Sequence, residues 1–189
     1  MSADRLDPGE VRTSAVYEAE RAASRGRLVE TARGRRVSLG GELVLVFESR
    51  ETVRAALEEL LRAERASDRQ RIDAETAAFA DLVPDDHQLA ATLYLDIADP
   101  AALADRLAEL GDLGTAVSLD VAGHRVSGRS DGAESGGGGW HLLFALDEVQ
   151  RGVLLNGGTV AVVVDHPRLH ATAALDDEQV RAVTADLRR

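Results

Sequence analysis

The sequence predicts an α+β protein centred on a ferredoxin-like α/β sandwich, in which one sheet carries two helices on one face. Two observations predict this class: a strand–helix–strand pattern occurs twice, over residues 89–122 and 140–166, and the chain before them has mainly helical periodicity. The expected domains are residues 1–86, an extension of long helices with a β-hairpin, and residues 87–189, the ferredoxin-like repeat with a C-terminal helix. We expect both to fold as one cooperative unit, and another α+β meander is the alternative topology.

The N-terminal extension is predicted to hold two long helices separated by the hairpin. Asp7 can cap a helix over residues 8–31, because an aspartate accepts hydrogen bonds from the first free backbone N–H groups. Two apolar runs around a glycine pair predict the hairpin over residues 36–47. Leucines at helical spacing predict the second helix over residues 51–80, with a break near Ser67 as the alternative.

In each repeated unit, a stretch of alternating apolar residues is followed by apolar residues at helical spacing and then by a second alternating stretch. The predicted elements are a strand at 89–97, a helix from Asp99, strands at 115–121 and 124–127, a strand at 140–146, a helix capped by Asp147, a strand at 159–165 and a terminal helix capped by Asp176. Residues 128–139, between the units, are rich in glycine and serine, which predicts a flexible loop.

The composition excludes several kinds of chemistry. Cysteine is absent, and all 22 basic residues are arginine, so the chain has no lysine. Without cysteine there is no disulfide, no thiol nucleophile and no iron–sulfur cluster on cysteine ligands. Without lysine there is no Schiff base with pyridoxal phosphate. The cofactor is therefore unknown, and a divalent metal is the candidate to consider.

Charge and hydropathy limit the partners. With 33 acidic residues against 22 basic ones, the formal net charge is −11, which argues against nucleic acid because phosphate contacts need a basic face. No apolar stretch is long enough to span a membrane, and the N-terminus lacks the apolar core of a signal peptide. We therefore expect a cytoplasmic protein that binds neither nucleic acid nor membrane.

Two histidines are the strongest candidates for a metal or ligand site. In the ferredoxin-like arrangement His141 begins one strand and His166 follows the end of another, while Tyr94 and Asp96 share the sheet face of His141. Asp165 precedes His166 and could orient its imidazole. Imidazole and carboxylate together suit zinc, iron or manganese. The alternatives are a face that packs on the N-terminal helices or a second subunit, and a strand that ends in a turn at Asp165 and His166.

A second group of candidates consists of charged residues around the start of the second long helix and along it. They are Glu48, Arg50, Arg62, Glu64 and Arg65. Arginine grips carboxylate and phosphate with two parallel hydrogen bonds, so this cluster could form an anion site or a partner surface. The alternative is a set of ion pairs that fixes the hairpin to the helix, or a solvated face.

The long helices also bear on assembly. Residues 8–31 and 51–80 carry apolar stripes that one small sheet does not cover fully. Apolar stripes left over in this way are normally buried by another subunit. We therefore expect a homodimer or a larger homo-oligomer.

Several segments resemble a bacterial family with no assigned function, the domain of unknown function 3501 family. They are RRVSLG at 35–40, FESRETV at 47–53, ELLRAER at 59–65, LVPD at 82–85, LAAT at 89–92 and DHP at 165–167. Genes of this family are often neighbours of genes for rubrerythrin-like diiron proteins and iron–sulfur oxidoreductases. The resemblance therefore implies a redox protein as a possible partner and a role near oxidative-stress chemistry.

The predicted function is that of an accessory or interaction protein linked to redox proteins. No catalytic motif is present, neither a Gly-x-Ser-x-Gly elbow nor a His-Glu-x-x-His zinc motif. The first alternative is a metal-binding protein or metal-dependent enzyme that uses His141 and His166 with carboxylates. The second alternative is a small-ligand sensor with an apolar pocket between the sheet and the long helices.

Overall fold

The computed structural model describes residues 6–12, 14–135 and 139–188. The α-helices in this part of the chain are α1 (Ser14–Arg33), α2 (Arg50–Ala63), α3 (Arg69–Ala80), α4 (Pro100–Leu110), α5 (Glu148–Leu155) and α6 (Asp177–Thr184). The strands are β1 (Arg36–Leu39), β2 (Leu43–Glu48), β3 (Gln88–Leu95), β4 (Val117–Val121), β5 (His124–Ser127), β6 (Arg129–Ser135), β7 (Gly139–Ala145), β8 (Val160–His166) and β9 (Leu169–Ala174). Short 3-10 helices span Pro8–Glu10, Leu113–Ala116 and Asp186–Arg188. The fold class is α+β, as predicted.

The strands form two antiparallel sheets, which differs from the predicted single sheet of a ferredoxin-like sandwich. Sheet 1 has the strand order β1-β2-β3-β7-β6, and sheet 2 has the order β5-β4-β8-β9. Each predicted strand–helix–strand unit exists, but its first strand lies in sheet 1 and its second strand lies in sheet 2. The sequence pattern does not distinguish these cases, because a strand buried on one face has the same alternation in either sheet.

The topology repeats within the chain. The series β2-β3-α4-β4-β5, which has α2 and α3 inserted between β2 and β3, corresponds to the series β6-β7-α5-β8-β9. The equivalent strands β3 and β7 are neighbours in sheet 1, and the equivalent strands β4 and β8 are neighbours in sheet 2. Both central pairs are antiparallel, as an approximate two-fold axis between the halves requires.

The main core lies between the two sheets. Leu93, Trp140 and Phe144 point inward from sheet 1, while Leu119 and Val162 point inward from sheet 2, and all five side chains are buried. Burying a large apolar side chain contributes about 1.5–3 kcal/mol, so this layer is the principal source of stability. The helices α4, α5 and α6 add Leu110, Leu154, Val180 and Val183 to the same core.

The N-terminal helices build a second, smaller core. It contains Leu6, Val11, Val53, Leu57, Leu61 and Ile72. The break near Ser67 is confirmed: Arg65 has a positive φ of 53°, and Asp68 caps the next helix by accepting a hydrogen bond from the backbone N–H of Arg71. The predicted hairpin is also confirmed, and it joins sheet 1 because β2 pairs with β3.

Three segments differ from their predictions. The first expected helix is divided, since Pro8–Glu10 is a 3-10 turn and α1 begins at Ser14. The predicted loop at 128–139 contains strand β6, which pairs with β7, while residues 136–138 lie outside the described residues. The third is β9, which follows the two-residue turn after His166 and was not predicted. Among the described residues, no helix combines the length and apolarity needed to cross a membrane.

Candidate functional site

The outer face of sheet 1 brings Tyr94 and His141 onto one surface, as predicted. Strands β3 and β7 are antiparallel neighbours, with Thr92 opposite His141. Because Trp140 points into the core, its neighbour His141 points outward. Tyr94 is 41% exposed, and its ring lies over Gly139, where an added Cβ would come within 3.1 Å of two ring carbons. We refer to this surface as the polar face.

Glu48 completes the polar face and ties it to α2. Its two carboxylate oxygens accept hydrogen bonds from Thr92 Oγ1 at 2.7 Å and from Thr52 Oγ1 at 2.5 Å. Thr52 lies in the first turn of α2, within a capping box with Ser49. Burial raises the pKa of Tyr94, and the negative charge of Glu48 raises it further. Both oxygens of Glu48 thus already hold structural hydrogen bonds between the sheet and the helix.

The structure does not bring the remaining predicted ligands to this face. His166 ends β8 in sheet 2, whereas His141 points away from sheet 2 on β7. Asp96 lies just beyond β3 and forms an exposed ion pair with Arg36 at 3.1 Å. Within the described ranges, no three histidine, aspartate or glutamate side chains converge to hold a metal ion.

Asp165 is paired with a histidine other than the neighbouring one. The β8–β9 hairpin places it opposite His170, and its Oδ1 lies 2.9 Å from His170 Nδ1. His166 Nδ1 instead accepts a hydrogen bond from the backbone N–H of Arg168 at 3.3 Å. Residues adjacent on a strand point to opposite faces, which separates Asp165 from His166. Had the sequence been interpreted as a hairpin with Pro167 and Arg168 as its two turn residues, it would have predicted that Asp165 lies opposite His170.

The predicted charged cluster is divided along α2. Arg50, at the start of the helix, forms an ion pair with Glu10. Arg62 and Glu64, near its end, pair with Glu59 and Arg71. Arg65 follows the helix in a left-handed conformation. A helix of fourteen residues is about 21 Å long, so the two groups do not act as one anion site.

A buried ion pair that was not predicted attaches the N-terminal segment to α2. The Glu58 side chain is fully buried and accepts hydrogen bonds from the backbone N–H, Nε and Nη2 of Arg12, at 3.0, 3.0 and 2.7 Å. Arg12 also binds Glu20 at 2.7 Å and lies over the ring of Tyr17, 5.5 Å from its centroid. These contacts raise the pKa of the Arg12 guanidinium, mainly through its hydrogen bond to Glu58. A pairing across 46 residues has no local sequence signal.

One side of α1 packs on the protein, and the opposite side is exposed. The packed side contains Tyr17, whose hydroxyl donates to Glu59 at 2.8 Å, and Arg21, which also binds Glu59 at 2.8 Å. The opposite side, which we call the α1 outer face, is formed by Val16, Ala19, Ala22, Ala23, Gly26 and Val29. Val16 is 59% exposed and Val29 is 60% exposed.

Among the described residues, the carboxylates of this region are engaged within the fold, whereas one face of α1 is exposed. The carboxylates of Glu48, Glu58 and Glu59 are held by hydrogen-bond donors within the fold. The α1 outer face, by contrast, exposes apolar and small side chains in a continuous row.

Comparisons with known proteins agree on the extent of the fold. A family model described as "Protein of unknown function (DUF3501)" matches residues 5–187. A crystal structure of a protein of unknown function from Burkholderia pseudomallei is similar, with 27% sequence identity and a TM-score of 0.89, over 97% of this chain and 99% of the other. None of the curated proteins matches the chain.

Proposed function

The chain belongs to the DUF3501 family of proteins of unknown function, and on this premise we propose that it is a non-catalytic, cytoplasmic interaction protein that forms a homodimer through the α1 outer face. The observation that carries the proposal is the exposure of Val16 and Val29 at either end of a row of small side chains. The row spans about 20 Å along the helix at 1.5 Å per residue. A second copy that covers this row removes its apolar surface from water, which lowers the free energy of the protein.

Gly26 supports a close approach by another helix. It lies within α1, where glycine costs about 1 kcal/mol relative to alanine. Outside the neighbouring backbone of α1, no atom of the described residues lies within 4 Å of the position of its missing Cβ, so the packing of one copy gives no reason for glycine there. Helices that cross at glycine and alanine bring their backbones close together, which increases dispersion contacts. A second helix could pack closely at this point, because Gly26 has no side chain to hold it away.

Charge placement favours a second copy of α1 as the partner. Glu18 and Arg25 lie on the same flank of the α1 outer face, and both are exposed. When two copies pair antiparallel about an axis near Ala22 and Ala23, Glu18 of each copy lies beside Arg25 of the other. Such pairs fix orientation and partner choice in helix pairing.

Sedimentation and light scattering test this proposal. We expect a dimer mass at about 100 μM that dissociates on dilution towards 1 μM, because a single helix face lies at the small end of interface sizes. The variant Gly26→Leu should be monomeric, whereas Gly152→Ala, a change at an open glycine of α5, should behave like the wild type. A wild-type mass that is monomeric at every concentration would overturn the homodimer.

A charge exchange locates the interface. Glu18→Arg and Arg25→Glu should each weaken the dimer, since each places like charges together across the axis. The double variant should restore dimerisation because both cross-copy pairs are rebuilt with reversed signs. If the wild type dimerises and neither single change weakens it, the contact lies on another surface and the α1 proposal is wrong.

We also propose a redox protein as a second partner of this chain. This partner is what the resemblance to the family implies, since genes for rubrerythrin-like and iron–sulfur proteins are expected near genes of this family. Titration calorimetry with a purified rubrerythrin-like protein from the same organism should show saturable binding. Heat changes equal to dilution alone would rule out that partner.

A further inference from the structure

We propose that the crevice between α1 and α2 binds an oxyanion, the terminal phosphate or carboxylate group of a ligand, between Arg27 and Arg54. Both arginines line this crevice, together with Ser24 and Arg12. Arg27 comes from α1 and Arg54 from α2, so the two guanidinium groups approach the crevice from different helices. The site is separate from the polar face and lies beside the α1 outer face.

Arg54 has an unmet hydrogen-bonding requirement. Its Nε is buried and makes no hydrogen bond within the part of the chain that the structure describes. Leaving a buried donor without a hydrogen bond costs about 1–3 kcal/mol, and more when the group is charged. Side chains with this requirement are normally satisfied by a protein acceptor, water or a ligand. An anion in the crevice would supply the acceptor.

The neighbouring carboxylates are mostly engaged elsewhere. Glu58 and Glu20 both bind Arg12, each at 2.7 Å. Arg27 donates only to Ser24 Oγ, at 3.3 Å, among the described residues. Glu51 also lines the crevice, but within the described ranges it forms no ion pair with either arginine. Two guanidinium groups that have no carboxylate partner among the described residues therefore line one crevice, in a chain that has an excess of acidic residues.

The dimensions indicate how the ligand enters. The crevice has a volume of about 20 Å³, which is enough for one oxygen atom or one water molecule. A single oxygen of the anion can therefore lie within the crevice, while the rest of the ligand stays outside it. Arginine is suited to this role, since its planar fork of donors matches phosphate and carboxylate oxygens.

Nuclear magnetic resonance of arginine Nε–H groups tests the site directly. At constant ionic strength, inorganic phosphate or acetate should shift the Nε–H signal of Arg54 in a saturable manner. The anion that binds more tightly, phosphate or acetate, identifies the ligand group as a phosphate or a carboxylate. A signal that neither anion shifts, or that shifts linearly without saturation, would overturn the proposal.

Variants distinguish a specific anion site from a general attraction of anions to exposed arginines. Arg54→Gln and Arg27→Gln should each weaken anion binding at least tenfold, as followed by the remaining arginine signal and by calorimetry. Arg129→Gln removes an exposed arginine elsewhere and should leave the affinity unchanged. Equal affinity in all three variants would overturn the assignment. The mass of each sample is measured as well, so that loss of the homodimer is distinguished from loss of the anion.

Discussion

Arg35 and Asp186 form a buried ion pair between residues 151 positions apart, with Nη1 and Oδ2 separated by 2.7 Å. Both side chains are 7% exposed. Arg35 also donates to the carbonyl of Ala182 at 2.7 Å, and its own carbonyl accepts from the backbone N–H of Phe47 at 2.9 Å. The pair thus fastens the start of sheet 1 to the C-terminal helical segment.

Removing the acidic partner of Arg35 should be strongly destabilising. Asp186→Ala leaves a buried guanidinium without its counter-charge, which costs about 3–5 kcal/mol. Urea unfolding measures the change in the free energy of unfolding. Asp96→Ala, which breaks the exposed pair with Arg36, is the matched control and should cost about 0–1 kcal/mol. Similar losses in both variants would show that burial does not set the strength of the first pair.

Acid should weaken the contact between α1 and α2. The hydrogen bond from Arg21 is the main cause that lowers the pKa of Glu59 to about 2, from an ordinary value of 4.5. A carboxyl with a lowered pKa in the folded state stabilises the protein above the unfolded value and loses this effect as the pH falls through the folded value. The free energy of unfolding should therefore drop between about pH 4.5 and pH 2.

The variant Glu59→Gln tests the acid effect. It should reduce the pH dependence of the unfolding free energy in that interval, because it removes the titrating group. Glu30→Gln, which changes an exposed pair with Arg33, should retain it. A wild-type slope that persists in Glu59→Gln would assign the effect to other carboxyl groups.

Tyrosine ionisation should be suppressed in the native protein. Burial, followed by the hydrogen bond to Glu59, raises the pKa of Tyr17 to about 12 from an ordinary value of 10.0. The stabilisation is complete below pH 10 and is lost as the pH rises towards 12. The ultraviolet absorbance of tyrosinate follows the titration, and Tyr94→Phe leaves Tyr17 as the remaining tyrosine. A normal titration in that variant would contradict the buried contact with Glu59.

Replacing Glu58 should release the N-terminal segment. Glu58→Gln substitutes an amide N–H₂ for one acceptor of the Arg12 donors, at a cost of about 2–4 kcal/mol. Hydrogen exchange at residues 6–12 should then become much faster, because Leu6 and Val11 no longer stay packed in the second core. Glu20→Gln alters the exposed partner of Arg12 and should leave the exchange nearly unchanged.

Features with local causes were predictable from the sequence. The caps Asp147 and Asp176 each accept a hydrogen bond from a backbone N–H three residues on, where a glutamine returns the bond. The neighbouring strands that carry Tyr94 and His141 were also predicted, since alternation fixes which side chains share a face.

Features that depend on distant pairing were not predictable. The glycine- and serine-rich segment before β7 has the composition of a loop, yet Arg129–Ser135 forms a strand because β7 supplies its hydrogen bonds. The division of the strands between two sheets likewise depends on tertiary packing rather than on periodicity. The pair of Asp165 with His170 has a local cause instead, because the β8–β9 hairpin places these two residues opposite each other.

The matching halves of the topology have a consequence for how such a chain could be shortened. A polypeptide with only β6, β7, α5, β8 and β9 would expose the β7 edge that now pairs with β3, and the β8 edge that now pairs with β4. In the full chain each of these edges pairs with its own equivalent strand, so two molecules of the shortened polypeptide could complete each other's hydrogen bonds. In strand topology, the central part of the chain therefore corresponds to two such units joined at Gly128.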